Sequence, residues 1–196
     1  MEMDIYDFDK TIVPFDSGSL FTLYCLLHYP WIIIYLPVIA AAALLMLLKI
    51  INFTAFKKTC FMFVPLIPLE RAVKGFWNRH EKEVHKWFLK DKRSYVVISA
   101  SPDFLLKEIA ERLGFDHLIC TRHSRRSGMI IGENCRDSEK VRRFAEEFPN
   151  TRVMDVYSDS IHHDKHIFSL AEGQCYHIVK GVPIPFDYCE MYQEKK

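Results

Sequence analysis

The sequence predicts an α/β protein in which an all-α cap subdomain is inserted into a parallel-sheet core. Three observations predict this class. Short apolar runs alternate with helix patterns from Ser94 onward, an order typical of parallel sheets. A further short apolar run lies at the N-terminus. Between them, residues 14–91 show helical patterns and a long charge-free stretch at 17–48. We therefore place the core at residues 1–13 and 92–196 and the helical cap at 14–91.

Composition limits the class of protein and its partners. Charged residues make up 26% of the chain and apolar residues 49%, which fits a folded globular protein. The formal net charge is +1, so no polyanion partner is implied. The basic loop Arg122–Arg126 has no aromatic platform beside it, and we expect no binding to nucleic acid. Six scattered cysteines and an acidic, strand-like N-terminus indicate reduced thiols, no cleavable signal peptide and a cytoplasmic protein.

The N-terminal strand ends in two carboxylates. Ile5, Tyr6 and Phe8 are β-formers, and Asp7 and Asp9 stand two residues apart where the strand stops. Two carboxylates held close together repel each other unless a cation lies between them or one keeps its proton. The first arrangement makes a Mg²⁺ site and the second a general acid, and phosphoryl transfer uses both. The alternative is that both residues only begin a turn.

The charge-free stretch has two interpretations. No Asp, Glu, Lys or Arg occurs from Ser17 to Leu48, and Trp31–Leu48 meets the length of a membrane span. Pro30 is predicted to separate two helices and Pro37 to start or kink the second. The stretch is either a buried hairpin in the cap or a hairpin that contacts a bilayer, and the sequence leaves both open.

The remaining elements follow from apolar periodicity. Two amphipathic helix faces are predicted in the second half of the cap, at 71–77 and 84–89. In the core, strands and helices alternate, and a turn at Arg125–Gly128 leads to Met129–Ile131. The predicted strands are Tyr95–Ile98, His117–Thr121, Arg152–Tyr157 and, as the last strand, Cys175–Val179. The predicted helices are Phe104–Leu113, stopped by Gly114, then 137–148 and Ile161–Ala171.

Four polar motifs follow one another at the predicted carboxyl ends of these strands, where open α/β sheets bind ligands. They are D-F-D-K-T at Asp7–Thr11, I-S-A-S at Ile98–Ser101, Lys140 at the start of a helix, and Y-S-D-S-x-x-x-D at Tyr157–Asp164. In this order they resemble the haloacid dehalogenase-like superfamily, in its phosphoserine-phosphatase-like branch with a helical cap. The apolar cap is similar to that of phosphatidylglycerophosphatases of this branch. The resemblance covers the whole chain and implies a Rossmann-like core.

The resemblance also implies a role for each motif. Asp7 would be the nucleophile that forms an aspartyl-phosphate, and Asp9 the general acid and base. Phosphate oxygens would be bound by Ser99, Ala100, Thr11 and Lys140. Mg²⁺ would be held by the Asp7 carboxylate, the Asp9 backbone carbonyl and Asp159, with Asp164 as a further ligand or an anchor.

Some features depart from the family pattern. Four residues separate Asp159 from Asp164, one more than in many relatives. Three histidines flank this motif and are either surface residues or ligands of a softer metal; they are His162, His163 and His166. Ser99-Ala100-Ser101 replaces the Ser-Gly-Gly of phosphoserine phosphatases, which argues against phosphoserine as substrate.

Three functions remain after this comparison. The first is a Mg²⁺-dependent phosphatase that acts on a small phosphorylated metabolite. The second is a membrane-associated phosphatase of a lipid phosphate, with contact through residues 17–48. The third is a non-catalytic membrane-binding protein on the same fold, which the intact set of acidic residues disfavours. The oligomeric state is not readable from the sequence.

Overall fold

The computed structural model describes residues 1–90 and 93–192 and contains one six-stranded sheet. The strands lie in the order β3-β2-β1-β4-β5-β6. The first five are mutually parallel, and β6 runs antiparallel to β5 at the edge. The strands are β1 Glu2–Tyr6, β2 Tyr95–Pro102, β3 His117–Thr121, β4 Arg152–Ser158, β5 Cys175–Val179 and β6 Val182–Phe186. The predicted fold class, a Rossmann-like sheet core with helices, is confirmed.

Helices cover both faces of the sheet and fill the segment between β1 and β2. That segment contains α1 Ser17–His28, a 3-10 helix Pro30–Tyr35, α2 Leu36–Leu47, α3 Phe53–Cys60 and α4 Leu69–His80. The core helices are α5 Asp103–Leu113, α6 Ser138–Glu147, α7 Lys165–Phe168 and α8 Tyr188–Tyr192. Gly114 ends α5 in the left-handed conformation, with φ of 64°, as predicted. The predicted domain boundary at 91 and 92 lies outside the described residues, and the division into core and cap stays a prediction.

Alternation along the central strands divides the interior into two cores. Met3 and Ile5 face one core, which is closed by α6 and α7, whereas Tyr6 faces the other, which is closed by the inserted helices. Successive side chains of a strand point to opposite faces, so a strand buried on both sides is mostly apolar; in β1 the exception is the buried Asp4. The insertion thus packs against the sheet directly above the end of β1.

The charge-free stretch is largely exposed after α1. We call Pro30–Leu47 the apolar segment; it is long and apolar enough to cross a membrane by length and composition, and 11% of it is buried. Pro30 and Pro37 start the 3-10 helix and α2, as predicted. Among the described residues, more than half of the large exposed apolar side chains lie between Leu23 and Phe53. The interpretation of the whole stretch as a buried hairpin is therefore wrong for the apolar segment, because the insertion offers too little protein to cover it.

Three predicted elements differ from the structure. Residues 84–89 form turns, in which His85 N–H donates to the Ile12 carbonyl at 2.9 Å and Trp87 Nε1 donates to the Gly181 carbonyl at 2.9 Å. The predicted helix at 161–171 shortens to α7, because its first residues form a turn. Cys175–Val179 is not the last strand; β6 follows it, and its two prolines, tolerated only at a sheet edge, concealed it.

Candidate active site

The sheet order brings the predicted motifs to one place. β1 lies between β2 and β4, so the carboxyl ends of these three strands are neighbours. The Asp7 N–H donates to the Tyr157 carbonyl at 2.9 Å, which extends the β1–β4 pairing to the motif itself. Asp7, Ser99 and Asp159 all line one cavity of about 740 Å³ between this edge and the inserted helices. The predicted convergence at the carboxyl ends is therefore present in the structure.

A buried lysine lies between two carboxylates on the floor of this cavity. Lys140 Nζ is 2.7 Å from Asp7 Oδ1 and 2.8 Å from Asp164 Oδ1. All three residues are buried. Burial alone would lower the pKa of Lys140, but the two carboxylates reverse this effect and raise it, so the ammonium stays charged. Lys140 thus supplies a fixed positive charge against the predicted nucleophile.

The cavity floor carries more negative than positive charge. Burial raises the pKa of Asp7, the neighbouring carboxylates of Asp164 and Asp159 add to the shift, and Lys140 opposes it. Burial and Asp164 likewise raise the pKa of Asp159. Because two lysines, Lys140 and Lys10, act on the three carboxylates, this arrangement still favours binding of a further cation.

The donor atoms left available fit a hard divalent cation. Asp7 Oδ2 has only a 3.4 Å contact with the Thr11 hydroxyl, and the Asp159 carboxylate has no hydrogen bond within the described residues. Both Asp164 oxygens are engaged, Oδ1 by Lys140 and Oδ2 by the Ser158 hydroxyl at 2.5 Å. In the described part of the chain no three His, Cys, Asp or Glu side chains form a metal cluster. The predicted Mg²⁺ ligands, the Asp7 and Asp159 carboxylates and the Asp9 backbone carbonyl, stay a prediction, and the two contacts of Asp164 suit the alternative of an anchor.

Asp9 is held apart from this charged group by hydroxyl and amide donors. Its carboxylate accepts the Ser17 N–H at 2.7 Å and the Ser101 hydroxyl at 2.5 Å. Burial raises the pKa of Asp9, and the nearby Asp16 carboxylate adds to the shift. A carboxyl group with a raised pKa that lines the cavity is suited to donate a proton. The two aspartates of the first motif therefore have different environments.

The predicted phosphate-binding residues are placed differently from one another. Ser99 and Ala100 line the cavity, and the Ser99 hydroxyl accepts the Ser101 N–H at 3.0 Å. Thr11 does not line it; its hydroxyl contacts Asp7 and accepts the Asp159 N–H at 2.9 Å. Thr11 thus ties the first motif to the last one, and its phosphate contact stays a prediction.

Two cationic residues of the cavity were missed by the sequence analysis. Lys57 of α3 donates to the Ala100 carbonyl at 2.6 Å and to Asn134 Oδ1 at 3.4 Å. The Arg136 guanidinium lies 4.6 Å from the ring centroid of Phe53, and its Nη2 contacts His163 Nδ1 at 2.8 Å. The position of Arg136 four residues before Lys140 was a usable signal, whereas nothing local distinguished Lys57 from its neighbour Lys58.

The three flanking histidines form no metal group within the described residues. His163 is mostly exposed and contacts Arg136 at the rim of the cavity, where it also lies 3.8 Å from Asp137. The surface alternative therefore fits these residues better than a soft-metal site.

Comparisons with known proteins identify the family of this chain. The family model described as haloacid dehalogenase-like hydrolase matches residues 5–166. The chain is 36% identical over 94 residues to Protein CicA of Caulobacter vibrioides, a match that covers 45% of this chain and 42% of that protein. It thus spans less than half the length of this curated relative.

Two solved structures share the fold. One is a protein of unknown function from Bordetella pertussis Tohama I, with a TM-score of 0.68, 16% identity and 88% of each chain covered. The other is a phosphoserine phosphohydrolase-like protein from Francisella tularensis, with a TM-score of 0.57 and 14% identity over 92% of this chain and 90% of that one. With the family model spanning most of the sequence, the chain belongs to the haloacid dehalogenase-like hydrolases.

Proposed function

We propose that this protein is a Mg²⁺-dependent phosphomonoester hydrolase that works through an aspartyl-phosphate on Asp7. The observation that carries the proposal is the pairing of Asp7 with Lys140 at 2.7 Å on the floor of a cavity that also contains Asp9 and Ser99. A phosphate ester needs a nucleophile, a proton donor for its leaving oxygen and donors for its charged oxygens. These three groups are present within one cavity.

In the first half-reaction, one oxygen of the Asp7 carboxylate attacks phosphorus, which leaves the other to hold Mg²⁺. Lys140 contacts Oδ1 at 2.7 Å, and Oδ2 has the weaker 3.4 Å contact with Thr11. The bond from the attacking Asp7 oxygen to phosphorus forms while the bond from phosphorus to the alcohol oxygen breaks. The Asp9 carboxyl transfers its proton to that oxygen, which leaves as an alcohol. Lys140 and the Ser99 hydroxyl offset the charge on the phosphoryl oxygens.

In the second half-reaction, Asp9 acts as a base. Its carboxylate takes a proton from water, the water oxygen attacks phosphorus, and the bond to Asp7 breaks. Inorganic phosphate leaves and Asp7 is regenerated as a carboxylate. The hydrogen bonds from the Ser17 amide and the Ser101 hydroxyl stabilise the ionised form of Asp9 during this step. One residue thus serves both steps because its protonation state changes between them.

The residues that would hold Mg²⁺ are Asp7 and Asp159, with the Asp9 backbone carbonyl. When bound, the ion supplies charge neutralisation for the phosphoryl group and orients it for in-line attack. Thr11 positions two of these groups, because its hydroxyl contacts Asp7 and accepts the Asp159 N–H.

The test is hydrolysis of p-nitrophenyl phosphate with and without Mg²⁺. Asp7→Asn should reduce turnover on the order of 10³-fold or more, because an amide oxygen does not form the acyl phosphate. Asp9→Asn should retain phosphorylation of Asp7 but lose turnover. Activity that survives Asp7→Asn, or a native chain inactive on every phosphomonoester tried, would reject the proposal.

The first substrate class is a small phosphorylated metabolite, for which the cavity of about 740 Å³ has room. The phosphoserine phosphohydrolase-like name of the Francisella relative supports a small phosphomonoester. The Ser99-Ala100-Ser101 sequence does not favour phosphoserine itself.

A second candidate is a lipid phosphate presented by a membrane. The exposed apolar segment supports it, since a free monomer rarely exposes so large an apolar surface. Ile39 of α2 and Phe53 of α3 line the cavity, so the apolar surface continues into its mouth. An amphiphile bound here would keep its chains in the bilayer while its phosphate reaches Asp7.

Sedimentation with phospholipid vesicles separates the two candidates. The native chain should sediment with vesicles, and Ile33→Glu with Ile34→Glu should abolish sedimentation, because both side chains are mostly exposed. Val182→Glu, at another exposed apolar position, is the matched control and should have no effect. Vesicle binding without hydrolysis of any phosphate would instead indicate the non-catalytic alternative.

A further inference from the structure

Three cations that line the cavity have no part in the proposed phosphoryl transfer, namely Lys10, Lys57 and Arg136. Lys10 acts on the Asp159 carboxylate. Lys140 alone contacts the nucleophile, whereas Lys57 and Arg136 lie on the side where α3 meets the core. Lys57 is half-buried and comes from the inserted helices; Arg136 comes from the loop before α6. Cations that line a cavity but do not serve the chemistry are available to bind another part of the ligand.

Within the described residues, neither Lys57 nor Arg136 forms an ion pair with a buried carboxylate. The two acceptors of Lys57 are neutral oxygens, on Ala100 and Asn134, and it forms no ion pair within the described residues. An ammonium has three N–H donors, so one donor remains for a ligand. Arg136 has only a 3.4 Å ion pair with the exposed Asp137, and its Nη1 has no acceptor in the described part of the protein.

The two positive charges act on each other. The pKa of Lys57 is lowered, first by burial and also by Arg136, while Asp9 and Asp16 oppose the shift from a distance. Two like charges that line one cavity repel each other, and an anion bound between them removes this repulsion. The contact of Arg136 with the Phe53 ring holds the guanidinium plane at the rim of the cavity.

We propose that Lys57 and Arg136 form a second anion subsite, so that the substrate is a phosphomonoester carrying another anionic group, a carboxylate or a phosphodiester. The assignment rests on the proposed function for the place of the transferred phosphate at Asp7 and Lys140. One subsite then selects the reacting phosphate and the other selects the remainder of the molecule. The two come from different parts of the fold, because Lys57 belongs to the insertion.

The first experiment compares two substrates that differ only in this group. Glycerol 3-phosphate has a hydroxymethyl group where 3-phosphoglycerate has a carboxylate. The native chain should have a KM for the carboxylate substrate about tenfold below that for the neutral one, since charged hydrogen bonds are typically that strong. Lys57→Gln and Arg136→Gln should each remove most of this difference while kcat changes little. Lys58→Gln, the adjacent residue of α3, should leave the ratio unchanged.

The ratio of the two KM values separates recognition from a structural role. If Lys57 only tied α3 to the Ala100 carbonyl, Lys57→Gln would raise both KM values equally and keep their ratio, and the proposal would fail. Arg136→Gln provides the same test without disturbing that contact. Thermal unfolding of each variant verifies that it is folded.

A binding experiment tests the subsite without turnover. Calorimetry without Mg²⁺ compares propylphosphonate with ω-carboxyalkylphosphonates of increasing chain length, none of which is hydrolysed. One member of the series should bind about tenfold more tightly than propylphosphonate, and Lys57→Gln should abolish this advantage. Equal binding across the series overturns the subsite. Loss of all phosphatase activity with preserved selective binding would reject the proposed function but not the subsite.

Discussion

The cavity floor buries charged side chains, whereas the apolar segment exposes apolar ones. On the floor, Asp7, Lys140 and Asp164 are buried charges, each within 2.8 Å of a partner. In the apolar segment, residues without any charge are left exposed to solvent. Both arrangements run against the usual distribution of polar and apolar residues. On the floor, the cost of burying charges is offset by partners inside the fold, whereas most of the apolar segment is left uncovered by the described residues.

The largest effect is expected from breaking the buried ion pairs of the floor. Lys140→Met leaves Asp7 and Asp164 facing each other without a cation, which should lower the free energy of unfolding by about 3–5 kcal/mol. Urea unfolding measures this loss in the free energy of unfolding. Arg142→Met, on the same helix, removes an exposed guanidinium that pairs with Glu139 and Glu146, and it should cost much less than Lys140→Met. Equal losses in the two variants would show that the floor is no more tightly coupled than the surface.

The second effect compares two isoleucines inside the apolar segment. Ile32 is 2% exposed and Ile34 is 69% exposed. Ile32→Ala should lower the free energy of unfolding by about 2–4 kcal/mol, because it leaves a cavity in the insertion core. Ile34→Ala should change it by less than about 0.5 kcal/mol. A large cost at Ile34, measured by urea unfolding without lipid, would mean that its side chain is covered in solution.

The third and smallest effect concerns His123, where the core meets the insertion. Its ring packs against Phe61 and Phe104. Burial lowers the pKa of His123 from 6.5 to about 4; the Asp103 carboxylate opposes this shift, and the Lys57 ammonium adds to it. Between these two pKa values the unfolded chain binds a proton that the folded chain does not. Because of this histidine, the free energy of unfolding decreases as the pH falls from about 6.5 to about 4.

The measurement is the free energy of unfolding at pH 7 and pH 4.5 in the native chain and in His123→Gln. The native chain should lose on the order of 2 kcal/mol more than the variant over this interval. His163→Gln, a mostly exposed histidine, should behave like the native chain. If His123→Gln shows the same pH dependence as the native chain, the ring is accessible to protons in the folded state.

Most of the sheet and of the floor was predictable from sequence, because both depend on short-range patterns. A buried parallel strand is a continuous apolar run, and a motif at its carboxyl end has a defined place in the sheet. The family resemblance then brought Lys140 to Asp7, a pairing that no local pattern shows. The antiparallel β6 was missed because its prolines are unfavourable in most strands.

The environment of the cavity rim was not predictable in the same way. Lys57 reaches Ala100 only because α3 folds back over the core, and this depends on packing between segments distant in sequence. The exposure of the apolar segment was left open for the same reason. Apolar composition predicts that burial of a surface is favourable, but it does not show which other part of the protein is close enough to cover that surface.

The hydrogen bond from the Ser17 amide to Asp9 joins the first inserted helix to the cavity. Ser17 is the first residue of α1, and its N–H lies 2.7 Å from the carboxylate proposed to move the proton. Any tilt of α1 relative to the sheet changes this distance first. Exchange of the entire insertion for that of a relative would therefore change both the selectivity for substrate and the rate at which Asp9 donates its proton. A chimaera that loses the contact between the Ser17 amide and Asp9 should bind phosphate esters but release the alcohol slowly.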